Sequence, residues 1–216
     1  MNDRQLMQSI FSAWQSTIAT AVAGTAVPAE LLAALVGNES AGNANVKRFE
    51  PATFEHLCEV LAGKRTLFAP PGISRPLAQS DLLLFVVGDQ TKSADQLIAA
   101  AGTIDEFFKQ AMARVAELAT SFGLVQIMGW HWIEFRRPAS TRPEDQLAFA
   151  VVLLTYFANK YTLDLAGVRY NAAKIFSCWN TGEPGGHTYD PQYVPNGLAR
   201  MELYRSIAGA EVATST

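Results

Sequence analysis

Glu39 closes an apolar run, Leu31-Leu32-Ala33-Ala34-Leu35-Val36-Gly37-Asn38-Glu39-Ser40, and two polar clusters follow it in the chain: Ser121-Phe122-Gly123-Leu124-Val125-Gln126-Ile127-Met128 and Trp179-Asn180-Thr181-Gly182. One acid followed by two clusters of neutral hydrogen-bonding groups suits chemistry on a sugar. A sugar offers no charge to grip, so its site needs amides, hydroxyls and aromatic faces, plus a carboxylic acid able to protonate the bond to be broken. Glu39 lies four residues after Leu35 and seven after Leu32, which aims its side chain along the apolar face of a helix. Desolvation there and the negative end of the helix dipole both favour the protonated form, as a general acid requires. The plainer reading of the same residue is a solvated glutamate in a fraying last turn, with Gly42 as part of the cap.

The other polar residues carry the same two readings. Gln126 and Asn180 amides offer donors and acceptors to hydroxyl and acetamido groups, and Gly123 and Gly182 allow backbone to approach a ligand closely. Read plainly, Gln126 is a buried amide satisfying a helix end and Met128 fills a core. Trp130, Trp132, Trp179, Tyr189 and Tyr193 are candidate platforms for pyranose rings, Trp179 and Tyr193 first. His56, His131 and His187 are well separated and no carboxylate stands at ligand spacing, so neither a metal nor a cofactor is expected.

These elements need a scaffold, and the sequence points to a mainly α one, with room for a small β-hairpin around Ala44 to Phe49. Leu6, Ile10, Trp14, Ile18 and Val22 recur every four residues and define an amphipathic helix from about Asp3 to Ala23. Pro28 opens a second helix ending at Asn38 or Glu39, and Pro51 a third stopped by Gly63. Residues 66–79, with Pro70-Pro71-Gly72 and Arg75-Pro76, read as a loop. Further helices are expected from Ile104 to Thr120, from Pro143 to Tyr161 (buried all round), from Tyr170 to Trp179 and from Gln192 to Ile207. We expect one domain over residues 1–216, with an N-terminal helix over 1–24 and a catalytic core over 28–207.

Composition narrows the function classes. The 216 residues are 49% hydrophobic with a net charge of −3, which leaves no basic stripe for nucleic-acid phosphates and no polybasic membrane patch. Neither a signal-peptide core nor a run long enough to span a bilayer is present, so a substrate outside the cytoplasm would require another export route. Cys58 and Cys178 have no paired-ligand spacing and read as buried thiols, with a disulfide left open.

The three clusters, in this order, resemble the motifs of the lysozyme-like superfamily: a helix ending in Glu-Ser, a Gly-Leu-x-Gln-Ile-Met segment and an aromatic-Asn-x-Gly segment. Arg48-Phe49-Glu50-Pro51-Ala52-Thr53-Phe54 further resembles the Phe-Glu-x-x-x-Phe segment of the N-acetylmuramidase domains of phage and bacterial peptidoglycan-lytic enzymes (endolysins), which are related to goose-type lysozymes and lytic transglycosylases. The likeness runs from about Pro28 to Tyr204. It departs from the usual residues at Val125, Trp179 and Thr181. The resemblance implies a mainly α, α+β lysozyme-like fold with a cleft, and a glycoside hydrolase acting on peptidoglycan glycan strands of the cell wall, in the periplasm or outside the cell. It implies Glu39 as the acid, Gln126 and Met128 beside the cut bond, Asn180 and Tyr193 holding the acid or the N-acetyl group, and Ser40, Ser121, Gly123 and Trp179 as further binding positions. An inverting hydrolase also needs a second carboxylate, for which Glu50 is the candidate with Glu55 behind it. A lytic transglycosylase needs Glu39 alone, as acid and then base. A non-catalytic glycan-binding module and an unrelated helical interaction domain are the readings from other classes.

Overall fold

A computed structural model describes residues 1–88, 93–137, 141–166 and 170–214. In chain order the elements are α1 (Asp3–Val22), α2 (Ala29–Ser40), β1 (Lys47–Phe49), α3 (Pro51–Leu61), β2 (Leu67–Phe68), β3 (Leu77–Ala78), α4 (Gln79–Val87), α5 (Ala94–Ala101), α6 (Ile104–Leu118), β4 (Thr120–Phe122), β5 (Ile127–Met128), α7 (Trp130–Glu134), α8 (Pro143–Tyr161), α9 (Ala172–Thr181) and α10 (Tyr193–Thr214). The chain is mainly α, with two small sheets among the described residues, ordered β1-β4-β5 and β2-β3. It groups into two compact units. The first comprises Met1–Val46, Phe122–Ile127 and Ser140–Thr216; the second comprises Lys47–Ser121 and Met128–Ala139.

In the first unit, α1, α2, α8, α9 and α10 pack on one another. Helix α1 starts on a reciprocal cap, in which Asn2 accepts from the Gln5 N–H and Gln5 accepts from the Asn2 N–H. It buries Leu6, Met7, Ile10, Phe11 and Ile18, so its four-residue stripe is a packing face. Leu31 to Gly37 are all buried, making α2 the central rod of this unit. Helix α8 begins at Pro143, where a proline's missing N–H costs no bond. Burial all round is corrected for α8, because Ala148, Thr155, Asn159 and Lys160 are exposed along one side.

In the second unit, Leu57, Val60, Phe68, Leu77, Leu82, Val115, Leu118 and Trp130 form the core. Helix α3 begins at Pro51 and Gly63 follows its end in a left-handed conformation, as expected. The expected loop over 66–79 contains a short antiparallel ladder pairing Leu67 with Ala78 and Phe68 with Leu77. The hairpin expected around Ala44 to Phe49 is not local: β1 pairs with β4, some seventy residues on. Helices α4 and α5 fill a stretch whose apolar residues, Leu82 to Val87, run together without helical spacing.

Candidate functional site

The end of α2 fixes Glu39. The helix stops at Ala41, which takes a left-handed conformation (φ 51°), and the Gly42 N–H returns to the Val36 carbonyl at 3.4 Å. The indole N–H of Trp14 donates to the Gly42 carbonyl at 3.1 Å, tying this end to α1. Ser40 turns inward, its hydroxyl donating to the Val36 carbonyl at 3.2 Å and the Leu124 carbonyl at 2.8 Å. Glu39 is half-buried beside these anchors.

Its side chain meets the first residue of α10. The Tyr193 hydroxyl donates a short hydrogen bond to Oε1 of Glu39. Tyr193 is only 9% exposed, and its ring meets Phe176 of α9 edge-on with centroids 6.4 Å apart. Gly197 makes that arrangement possible, since a Cβ there would lie 2.7 Å from the Phe176 ring. Burial first, and then the negative charge of Glu39, push the Tyr193 phenol well above its ordinary value. It therefore stays a hydrogen-bond donor at neutral pH.

A chain of polar groups holds the backbone of this contact. The Asn38 amide donates to the Tyr193 carbonyl at 2.9 Å, and its oxygen accepts from Arg200 at 2.7 Å. The Arg200 guanidinium also donates twice to Asp3, at 3.0 and 2.8 Å. Asp3, Asn38 and Arg200 are absent from the sequence-derived site. Their signal was faint: an arginine flanking the buried stripe Tyr193, Gly197, Met201 and Tyr204.

The middle of the second cluster, Phe122–Ile127, folds as a tight turn in the first unit. Gln126 has φ 49°, and its amide donates to the Gly123 carbonyl at 2.9 Å and the Val46 carbonyl at 3.2 Å. Those donors hold the turn together, which is the plain role of a buried amide. Gly123 has φ 72°, and a Cβ on it would sit 1.9 Å from Oε1 of Gln146. The Cβ side of Gly123 is thus filled by Gln146, which accepts from the Leu124 N–H at 3.0 Å.

The third cluster ends α9. Gly182 is its left-handed cap, and its carbonyl accepts from the Tyr161 hydroxyl at 2.6 Å. Trp179 is half-buried and Asn180 exposed, so both present polar or aromatic surface at this end of the helix. Tyr189 is fully exposed, whereas Trp130 and Trp132 are buried and offer no open face to a sugar.

Ser121, Met128 and Glu50 belong to the second unit, each with a local role. The Ser121 hydroxyl donates to the Arg48 carbonyl at 3.4 Å, and Met128 packs on the core around Trp130. Glu50 is the residue preceding α3, and its carboxylate pairs with Arg48 at 2.6 Å. Cys58 and Cys178 are free thiols, and burial pushes Cys178 up to about 11. Among the described residues no three His, Cys, Asp or Glu side chains gather as a metal site would require, and no helix is long and apolar enough to cross a membrane.

No family model, curated protein or solved structure matches this chain. What brings the candidate residues to a centre is the hydrogen-bonded pair of half-buried Glu39 and buried Tyr193.

Proposed function

We propose that this chain is a peptidoglycan-cleaving muramidase of lysozyme-like fold, cutting the β-1,4 bond between N-acetylmuramic acid and N-acetylglucosamine with Glu39 as general acid. The observation that carries the reading is the Tyr193 hydroxyl on Oε1 of Glu39. In the protonated acid that this reading requires, Oε1 accepts from Tyr193 and Oε2 carries the proton. Glu39 delivers that proton to the bridging oxygen as oxocarbenium character develops on the sugar. A phenol held protonated by burial is a stable orienting group, because it does not itself ionise while the acid cycles. Trp179 and Asn180 supply a ring face and an amide for the glycan, and the substrate places the enzyme's action at the cell wall.

A second reading, the lytic transglycosylase, draws support from Glu50. A water-activating base works best without a fixed cation on it, and Arg48 sits on this carboxylate at 2.6 Å. In that route Glu39 returns as base, and the sugar's own 6-hydroxyl closes a 1,6-anhydro ring.

Mass spectrometry of fragments released from purified peptidoglycan tests both. A muramidase releases hydrated ends and a transglycosylase releases ends lighter by one water. Release of no fragments contradicts both and leaves the non-catalytic readings, a glycan-binding module or a helical interaction domain.

A further inference from the structure

The second unit carries a pocket of about 630 Å3 whose described lining holds three guanidinium groups, Arg75, Arg114 and Arg136, against one acid, Asp81. Arg75 and Asp81 satisfy each other through two bonds of 3.0 and 3.1 Å. Asp81 is further committed by the Ala78 N–H at 2.9 Å. Arg114 is oriented by other means: it donates to the Phe85 carbonyl at 2.9 Å and lies 5.9 Å from the centre of the Phe85 ring. Arg136 stands on left-handed backbone (φ 50°) next to α7, and its charge is felt at Asp81. No described carboxylate pairs with Arg114 or Arg136. The rest of the lining is apolar, from Leu84, Phe85 and Ile133, and Leu84 is 48% exposed.

We propose that this pocket binds a small organic anion, a carboxylate or phosphoryl group carried on a compact apolar body. The anionic head lies against Arg114 and Arg136, whose forked donors match either group in two-point geometry. The body covers Leu84, Phe85 and Ile133. A bare inorganic ion uses the guanidiniums alone and leaves the apolar lining wet, so the pocket discriminates against it. The site is independent of Glu39 and of the glycan reading.

Calorimetric titration of the full chain with phenyl phosphate, benzoate and inorganic phosphate tests the proposal. We expect saturable one-site binding of phenyl phosphate or benzoate, about tenfold or more tighter than inorganic phosphate. The tighter of the two organic anions identifies the head group. Arg114→Gln and Arg136→Gln should each weaken that binding about fivefold or more, since a charge-assisted bond is lost in each. Arg65→Gln, which breaks only the contact with Glu59, should leave it unchanged. Both variants sit on exposed side chains, and circular dichroism verifies that they fold. No saturable binding, equal affinity for inorganic phosphate, or binding indifferent to both variants overturns the proposal.

Discussion

The phenolic oxygen of Tyr193 and Oε1 of Glu39 share a hydrogen bond across 154 residues of chain, joining the last turn of one helix to the first of another. The tyrosine's ring is packed and its hydroxyl reaches Glu39, so ring packing and hydrogen bonding separate experimentally. Tyr193→Phe should keep the ring contact with Phe176 and lower peptidoglycan cleavage by about ten- to a hundredfold, the worth of a hydrogen bond to a carboxylate. Turbidity clearing of purified walls measures the loss, and a thermal melt displaced by only a few degrees shows that it is not unfolding.

Alkaline pH should destabilise the protein, and the sign follows from the tyrosines. Burial raises Tyr193 well above the ordinary value near 10, raises Tyr204 to about 12 and raises Tyr170 as well. Below pH 10 these phenols are protonated in both folded and unfolded chains, so their contribution is fully present. As pH climbs past 10 the unfolded chain loses protons that the folded chain retains, and stability falls until the folded values are passed. Urea unfolding between pH 8 and 11 should show this decline, shallower in Tyr193→Phe.

Asn38→Ala should cost about 2 kcal/mol, because it strands the Tyr193 carbonyl and removes one of the acceptors of the Arg200 guanidinium. Asp3→Asn should cost less than about 1 kcal/mol, since Asp3 is 42% exposed and its pair with Arg200 is screened by solvent. Chemical denaturation of both variants checks the order, and a reversal would remove Asn38 from the centre of the network.

Gly123→Ala should destabilise by about 2 kcal/mol or more. It places a side chain at φ 72° and drives a Cβ into Gln146, whose oxygen holds the Leu124 N–H. A melting temperature unchanged by this substitution would contradict the close approach.

The second unit gives an acid-side counterpart. His131 is stacked on Trp130 at 3.7 Å between ring centroids, and its Nδ1 lies 2.5 Å from Glu134. Burial outweighs the nearby carboxylate and holds its ionisation below the ordinary 6.5. A depressed imidazole contributes stability above the unfolded value, and that contribution is lost as pH falls below it. His131→Phe should therefore flatten the stability profile between pH 7 and 5, read by urea midpoints.

How much of this was legible in the sequence depends on range. Pro143 and Pro51 announce the starts of α8 and α3 because a proline fits only the first turn of a helix. The α1 stripe is equally plain. Helix α4 was hidden because Leu82 to Val87 lack any period, and α7 because five residues are too few to show one. The partner of β1 was out of reach for the same reason as Arg200 and Asn38: pairing across many residues leaves no local mark. Glu39 and Tyr193 entered through a resemblance of motifs, while the spacing of apolar residues alone left Glu39 between acid and solvated cap. Gly123 and Gln126 stand out in the sequence for openness and hydrogen bonding, and the turn they make uses both, which no local pattern announces.

The central claim is that Glu39 carries the proton that breaks the glycosidic bond. Cleavage of purified peptidoglycan by Glu39→Gln, followed as muropeptide release by mass spectrometry, tests it most directly, because glutamine keeps the shape and can still accept from Tyr193 but has no acidic proton to give. We predict loss of release by about a thousandfold or more with an unchanged melt. Release at the wild-type rate would contradict the account.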